Sequence, residues 1–235
     1  MKGLFPSQLL RRPSRSAQAF DAAAYWADRH ATHAGSLAAV GHRQLSESEN
    51  AAQYDLKRKK LLDVLNRHLP DPRGRTLLDA GCGIGVLSQA FADHGFSVSG
   101  VDFCESAICA AQERVPSATF LASPLDKLRL GTRFDAITII DVLLHIVDDA
   151  KWRATLVALA AHLKPEGVML ILDSLSEDGQ PDATHCRRRS KQDWERVFDE
   201  LGLHMAQHER FELPYEAAIK DLLTCGRARA LRDRV

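Results

Sequence analysis

The sequence has no long apolar run, and this absence excludes one class of protein. No window approaches the ~18 uninterrupted apolar residues that a membrane-spanning helix needs. The longest candidate runs from Ala136 to Val147, and Asp141 and His145 interrupt it. The 235 residues therefore contain no predicted transmembrane helix.

The chain also lacks a net charge at pH 7. The 31 basic and 31 acidic side chains cancel, so the chain as a whole has no attraction for nucleic acid or for an anionic membrane. The hydrophobic share of 45% and the charged share of 26% are typical of a soluble globular protein. At ~150 residues per domain, the length predicts one medium domain with an attachment.

Paired cysteines are absent as well. The five cysteines are odd in number and none is in CxxC spacing, which argues against a disulfide scaffold and against a zinc ribbon. This usage predicts a reducing compartment and hence a cytoplasmic location. The cysteines are Cys82, Cys104, Cys109, Cys186 and Cys225.

Acidic residues are absent from the first 20 positions, which carry Lys2, Arg11, Arg12 and Arg15. A mitochondrial targeting segment has this composition, and so does a disordered basic tail. Prolines at positions 6 and 13 interrupt any amphipathic helix, which favours the tail. We expect residues 1–16 to form a flexible basic tail and keep mitochondrial targeting as the alternative.

Helical and strand patterns alternate along most of the chain. A helical spacing of apolar residues over 51–69 follows a start signal, with Ser46 or Ser48 as its cap. Apolar runs without alternating polarity then alternate with helices of about ten residues, which predicts a parallel sheet covered on both faces. Strands are predicted at 76–80, 97–101, 119–122, 134–140 and 167–172, with helices at 86–95, 106–115 and 150–163.

The C-terminal part has a different pattern. A strand over 185–189, a helix over 192–201 and a more polar strand over 204–213 predict an antiparallel edge. The expected fold class is therefore a doubly wound α/β protein with a mostly parallel, seven-stranded sheet. The expected domains are an N-terminal helical cap at 17–50, a core at 51–215 and a C-terminal helical tail at 216–235.

A glycine-rich loop, Gly81 to Gly85, lies between the first predicted strand and the next helix. Glycines there allow a tight turn and a close approach of the backbone to a ligand at a helix N-terminus. Asp79 precedes the loop, which nicotinamide-binding loops do not usually show. Asp102 ends the next strand, where a carboxylate can accept both hydroxyls of a ribose.

Four segments in this order resemble the class I S-adenosylmethionine-dependent methyltransferases. They are the D-x-G-x-G-x-G loop from Asp79 to Gly85, Gly100 to Asp102, Phe134 to His145, and Leu163 to Ile171. The resemblance covers about residues 51–215 and is greatest to small-molecule methyltransferases of the quinone and natural-product type. It implies a Rossmann-like sheet, S-adenosylmethionine as cofactor and S-adenosylhomocysteine as product.

The resemblance also implies which residues bind the cofactor. The glycine loop would face its methionyl part, Asp102 its ribose and Phe103 its adenine. The family often has an acidic residue after the third strand, where this chain has Ser123, with Asp126 slightly displaced. The implied contacts are Arg58, Asp79, Gly81, Cys82, Gly83, Asp102, Phe103, Ser123, Leu125, Asp141 and Val142.

Two of these contacts have a second interpretation. Arg58 would pair with the cofactor carboxylate, or it is an exposed charge in a basic helix turn. Asp79 would support the cofactor, or it fixes the loop by accepting bonds from backbone amides.

His145 is the candidate general base. It follows the fourth strand by one helical turn, and an imidazole titrates near neutral pH. The alternative is a histidine that orders the loop by hydrogen bonding. A Mg²⁺ site built from Asp141, His145, Asp148 and Asp149 is a further alternative, but Asp141 is more simply explained by the cofactor, so no metal is predicted.

An aromatic and imidazole cluster in the N-terminal segment is expected to close over the acceptor pocket, or else to pack on the core. His185 and Arg187, on the strand predicted after the fifth, are expected to face the acceptor as well. The predicted acceptor-binding residues are Tyr25, Trp26, His30, His185 and Arg187.

The sequence therefore predicts methyl transfer to an oxygen or nitrogen of a small molecule, by a monomer or homodimer that does not act on nucleic acid. The alternatives are methylation of RNA or protein, and a non-catalytic module that only binds the cofactor. The Asn/Asp-Pro-Pro-Tyr/Phe motif for base nitrogens is absent, since Asp141 to Leu144 occupy that place.

Overall fold

Two α-helices and a short 3-10 helix (Leu37–Ala39) precede the sheet in the computed structural model, which describes residues 21–33, 35–176, 181–183, 185–213 and 219–227. Helix α1 (Ala22–Thr32) begins at Asp21, whose carboxylate accepts a bond from the amide of Ala24. Helix α2 (Glu47–His68) begins with a capping box between Ser46 and Glu49, so Ser46 is the cap. The predicted tail at 1–16 lies outside the described residues.

The strands and helices then alternate as the sequence pattern predicts. The strands are β1 (Thr76–Ala80), β2 (Ser97–Asp102), β3 (Thr119–Ala122), β4 (Phe134–Ile140), β5 (Leu163–Asp173), β6 (Pro181–Ala183), β7 (Cys186–Arg187), β8 (Leu203–Glu212) and β9 (Ile219–Arg227). The later helices are α3 (Val86–Asp93), α4 (Glu105–Arg114), α5 (Asp149–Ala161) and α6 (Lys191–Glu200).

One sheet of seven strands organises the molecule, in the order β3-β2-β1-β4-β5-β9-β8. The first five are parallel, and β9 and β8 complete the edge in antiparallel orientation. This confirms the fold class. The chain leaves β1 toward β2 on one side and reaches β4 on the other, so the strand order reverses between β1 and β4. Open α/β sheets bind ligands at such a point, beyond the carboxyl ends of the strands.

The central strands β1, β4 and β5 are largely buried on both faces, which explains why they lack alternating polarity. Neighbouring residues of one strand enter different cores: Leu77 packs with α2 and α3, whereas Leu78 packs with α5 and α6. The first core contains Leu61, Leu65 and Phe91, and the second contains Trp152, Leu156, Trp194 and Phe198.

Two C-terminal predictions are wrong. The strand predicted at 185–189 does not join the main sheet, because Cys186–Arg187 pairs only with Pro181–Ala183 in a separate two-stranded sheet. The helical tail predicted at 216–235 is a strand over its described part, since Ile219–Arg227 pairs with both β5 and β8. The proposed domain boundaries themselves stay predictions.

No helix in the described part of the chain is both long enough and apolar enough to cross a membrane. All five cysteines are free thiols.

Candidate functional site

A cavity of about 760 Å³ lies at the carboxyl ends of β1, β2 and β4. The glycine loop, the turn after β2, the segment after β4, α1 and the start of α5 all contribute residues to its lining. Its lining includes Trp26, His30, Val40, Tyr54, Asp79, Gly81, Cys82, Gly83, Asp102, Phe103, Leu125, Asp126, Ile140, Asp141, Val142, His145, Ile146, Asp148 and Lys151.

The glycine loop has a conformation that side chains disfavour. Gly81 has φ +77° and Gly83 has φ +51°, both in the left-handed region. A Cβ at Gly81 would lie 2.3 Å from a methyl group of Val142, and one at Gly83 would lie 2.7 Å from a methyl group of Val40. These glycines therefore let the loop pack closely against the segment after β4 and against the N-terminal cap.

Asp79 is a buried acid that ties the loop to its neighbours. Its carboxylate accepts bonds from the hydroxyls of Ser88 (2.6 Å) on α3 and Thr138 (3.1 Å) on β4. Burial raises the pKa of Asp79 to about 6, although the two hydroxyl donors oppose the shift. The partners are thus hydroxyls of adjacent elements rather than the backbone amides of the alternative interpretation.

Asp102 ends β2 and faces the cavity. Its two carboxylate oxygens each accept one backbone bond, from the amides of Gly83 and Cys104, both at 3.0 Å. Burial raises the pKa of this carboxyl, and the two amides limit the rise. Each carboxylate oxygen has a second lone pair, so two further donors can still be accepted.

Asp141 follows β4 directly and forms salt bridges with two lysines. The Nζ atoms of Lys57 on α2 and Lys220 on β9 lie 2.7 and 2.9 Å from its two oxygens. Burial alone would raise the pKa of Asp141, but the two ammonium groups outweigh burial and hold that pKa well below its usual range.

His145 lines the cavity, and a hydrogen bond orients one of its two ring nitrogens. Its Nδ1 is 3.2 Å from the carbonyl oxygen of His185 and 3.5 Å from Sγ of Cys186. A carbonyl can only accept, so we assign the proton to Nδ1, which leaves Nε2 as the basic nitrogen. Burial lowers the pKa of this imidazole, although the His185 carbonyl opposes the shift, and the ring is neutral at pH 7.

The N-terminal cap contacts the site through aromatic rings. Trp26 meets His145 edge-to-face with 5.1 Å between ring centroids, and Tyr25 stacks on His185 at 6.2 Å. Arg29 anchors α1 by donating to the carbonyl of Ala38 at 2.9 Å and to that of Gly41.

Twelve of the predicted site residues line the cavity together. They are Trp26, His30, Asp79, Gly81, Cys82, Gly83, Asp102, Phe103, Leu125, Asp141, Val142 and His145. Tyr25 and His185 lie just behind this lining: Tyr25 packs against the ring of Trp26, and His185 stacks on the ring of His145.

Three predicted residues are placed elsewhere. Arg58 pairs with Asp55 on its own helix at 2.5 Å, Arg187 pairs with Asp149 at 2.9 Å, and Ser123 does not line the cavity. These side chains do not contribute to the cavity as the structure shows it.

Sequence reasoning missed Lys57 and Lys220. A signal for Lys57 existed, because Leu61, Val64 and Leu65 follow it by four, seven and eight residues and form the buried stripe of α2. Arg58 is one position off that stripe. No comparable signal marked Lys220, which lies 79 residues from Asp141 on a strand that was predicted as helix.

The aspartates considered above for a Mg²⁺ site have other partners in the structure. Asp141 binds lysines, Asp148 caps α5, and Asp149 pairs with Arg187 and Arg189. Within the described residues, no group of three or more metal-ligating side chains is arranged to hold an ion.

A family model described as a methyltransferase domain matches residues 52–222. The chain belongs to this methyltransferase family. The match includes the whole glycine loop, Asp102, Asp141 and His145, and it reaches into β9.

Curated relatives of this methyltransferase domain match over about 100 to 119 residues. A dTDP-3-amino-3,6-dideoxy-alpha-D-glucopyranose N,N-dimethyltransferase from Streptomyces fradiae is 29% identical, over 50% of this chain and 46% of its own. A ubiquinone biosynthesis O-methyltransferase from Coxiella burnetii is 35% identical, over 40% of this chain and 42% of its own. The matched segments thus span less than half the length of these relatives.

Solved structures show the same fold. Magnesium protoporphyrin IX methyltransferase from Synechocystis, with bound S-adenosylhomocysteine, gives a TM-score of 0.67 at 19% identity, covering 86% of this chain and 94% of that one. A 1,6-didemethyltoxoflavin-N1-methyltransferase from Burkholderia thailandensis gives 0.59 at 21% identity, covering 76% and 85%.

Proposed function

We propose that the protein transfers a methyl group from S-adenosylmethionine to an oxygen or nitrogen of a small-molecule acceptor. One observation carries this proposal: in a chain of the methyltransferase family, the glycine loop and Asp102 share one cavity with a neutral imidazole.

The cavity is chemically suited to the cofactor. Its volume of about 760 Å³ lies within the range of small-molecule sites, ~300–1,000 Å³. Asp102 keeps acceptor capacity for the two ribose hydroxyls after binding the amides of Gly83 and Cys104. Phe103 is 40% exposed beside it and offers an aromatic face to the adenine.

Other residues are proposed to complete the cofactor site. Leu125 would contact the adenine edge, and Asp126 on the same wall would accept from its amino group, a position that the sequence left to Ser123. Asp141 and Val142 would lie below the methionyl part. Arg58 would reach the cofactor carboxylate only after leaving Asp55.

When bound, S-adenosylmethionine supplies an electrophilic methyl group on a good leaving group. The chain then has to align the acceptor with that methyl group, and alignment alone contributes up to ~7–11 kcal/mol. We assign this alignment to the wall formed by Trp26, His30 and His145. Nε2 of His145 would take the proton that the acceptor oxygen or nitrogen loses, since Nδ1 donates to the His185 carbonyl.

The activities for which the relatives are named support a small-molecule acceptor without selecting one. They include an amino-sugar N,N-dimethyltransferase and an O-methyltransferase of ubiquinone biosynthesis. The cytoplasmic location and the monomeric or homodimeric state remain predictions from the sequence.

The test is incubation of the full chain with S-adenosylmethionine that carries a radiolabelled methyl group and with a fractionated host extract. We expect label in the low-molecular-weight fraction, and less of it with Asp102→Ala. Label in RNA or protein would identify a macromolecular acceptor instead. Cofactor binding without label in any fraction would indicate a non-catalytic module.

A further inference from the structure

The backbone turn at Asp141 is unusual for a residue with a side chain. Its φ is +56°, and among the described residues the other positive φ angles belong to glycines. Aspartate tolerates the left-handed region better than most residues, yet it does not favour it as glycine does. A restraint on the Asp141 side chain would therefore help to hold this conformation.

Two buried lysines supply that restraint from different parts of the chain. Lys57 comes from α2 and Lys220 from β9, and they are 6% and 7% exposed. Each takes one carboxylate oxygen of Asp141, at 2.7 and 2.9 Å, so the side chain is held from both sides. A carboxylate held at both oxygens fixes the side-chain direction and, with it, the backbone that carries the side chain.

The segment that follows this turn lines the cavity. The Asp141 amide donates to the Leu172 carbonyl at 2.8 Å, which anchors the turn on β5. Val142 then packs against Gly81, and the His145 amide donates back to the Val142 carbonyl at 3.0 Å. A different φ at Asp141 would therefore move both Val142 and His145.

We propose that Lys57 and Lys220 are positioning residues, which act through Asp141 to hold its left-handed turn and thereby place Val142 and His145 at the cavity. This inference rests on the proposed function, because the cavity is taken as the cofactor site. The lysines themselves do not line the cavity.

The test is a rescue experiment in which S-adenosylhomocysteine is the probe and its dissociation constant is measured by calorimetry. The double variant Lys57→Met/Lys220→Met should bind at least tenfold more weakly than the wild-type chain, because Asp141 loses both restraints. Adding Asp141→Gly should give clearly tighter binding than adding Asp141→Ala, since glycine adopts φ +56° without a restraint. Both triple variants lack the Asp141 carboxylate, so any contact that it makes with the ligand is lost equally from the two.

The Gly and Ala variants both remove the carboxylate that the double variant leaves unpaired, so they separate backbone conformation from charge. Equal binding by the two, or wild-type binding by the double variant, would overturn the proposal. If the double variant does not fold, the comparison of the two triple variants decides alone. Lys59→Met, on the exposed side of the same helix, is the control and should bind like the wild-type chain.

A second readout reports position rather than affinity. The imidazole proton resonances of His145, assigned with His145→Gln, should shift in the double variant and return toward their wild-type positions only with Asp141→Gly. Failure of the wild-type chain to bind S-adenosylhomocysteine would be a distinct result. It would overturn the proposed function and, with it, this inference.

Discussion

At the scale of single residues, the site contains ionisable groups whose environments push their pKa values in different directions. Burial raises the pKa of Asp79 to about 6 and lowers that of His145, whereas two ammonium groups keep Asp141 ionised. The result at neutral pH is a neutral imidazole in the same cavity as an ionised carboxylate. These assignments lead to two predictions about individual side chains.

The first concerns the pH dependence of methyl transfer. Since burial lowers the pKa of His145, the imidazole stays basic to a pH below 6.5, and the rate should fall only as the pH drops through this lowered pKa. His145→Gln should lower kcat by about 10²–10⁴ and remove this acidic limb. The measurement is kcat against pH for both chains. An identical limb in His145→Gln would show that another group titrates.

The second concerns stability. Asp173, at the end of β5, is buried, and burial raises its pKa to about 7. Because the folded-state pKa lies above the unfolded value, stability is fully present below about pH 4 and is lost as the pH rises toward 7. Asp173→Asn should therefore raise Tm at pH 8 by at least ~2–4 °C, the shift that 1 kcal/mol gives in a chain of this size.

The same asparagine keeps an oxygen to accept from the Ser174 amide, so little change is expected near pH 4. Asp199→Asn, on the exposed face of α6, is the control. A Tm difference of the same size at both pH values would contradict the assignment.

At the scale of elements, local patterns predicted β1, β3 and β4 to the residue and the other core elements to within a few residues. Strands buried on both faces, bounded by glycine, proline and helix caps, carry that information locally. Strand β9 was not predicted, because it joins the sheet through pairing with β5 and β8 and has no distinct sequence pattern of its own. The pairing of Lys57 and Lys220 with Asp141 was missed for the same reason, since the two lysines lie 84 and 79 positions from Asp141 in the sequence.

Helix α1 is an element whose position depends on few contacts, and this gives a third prediction. Arg29→Met removes the bonds to the carbonyls of Ala38 and Gly41 and the guanidinium that lies 5.1 Å over the Trp26 ring. Amide hydrogen exchange should then quicken in residues 22–32, because docking rather than propensity holds so short a helix.

The core strands provide the internal reference for that experiment, since exchange in β1 should not change. Asp28→Ala, an exposed position of the same helix, is the matched control. Unchanged exchange in α1 of the Arg29 variant would show that the cap is held by its aromatic contacts alone.

At the scale of the whole molecule, the net charge of zero conceals regions that differ in local charge. Several basic residues are paired with acids: Arg187 and Arg189 pair with Asp149, and Lys57 pairs with Asp141. Among the described residues, the cavity lining carries several aspartates and one lysine, Lys151. That balance suits a cationic cofactor better than an anionic ligand.

Binding of S-adenosylhomocysteine by the full chain tests the central claim most directly. Calorimetry should give saturable binding at one site per chain, and ligand at 100 times Kd should add ~2.7 kcal/mol to the free energy of unfolding. Asp102→Ala should weaken binding by more than tenfold, because bonds to a charged group are lost. The absence of binding by the wild-type chain at millimolar ligand would contradict the account.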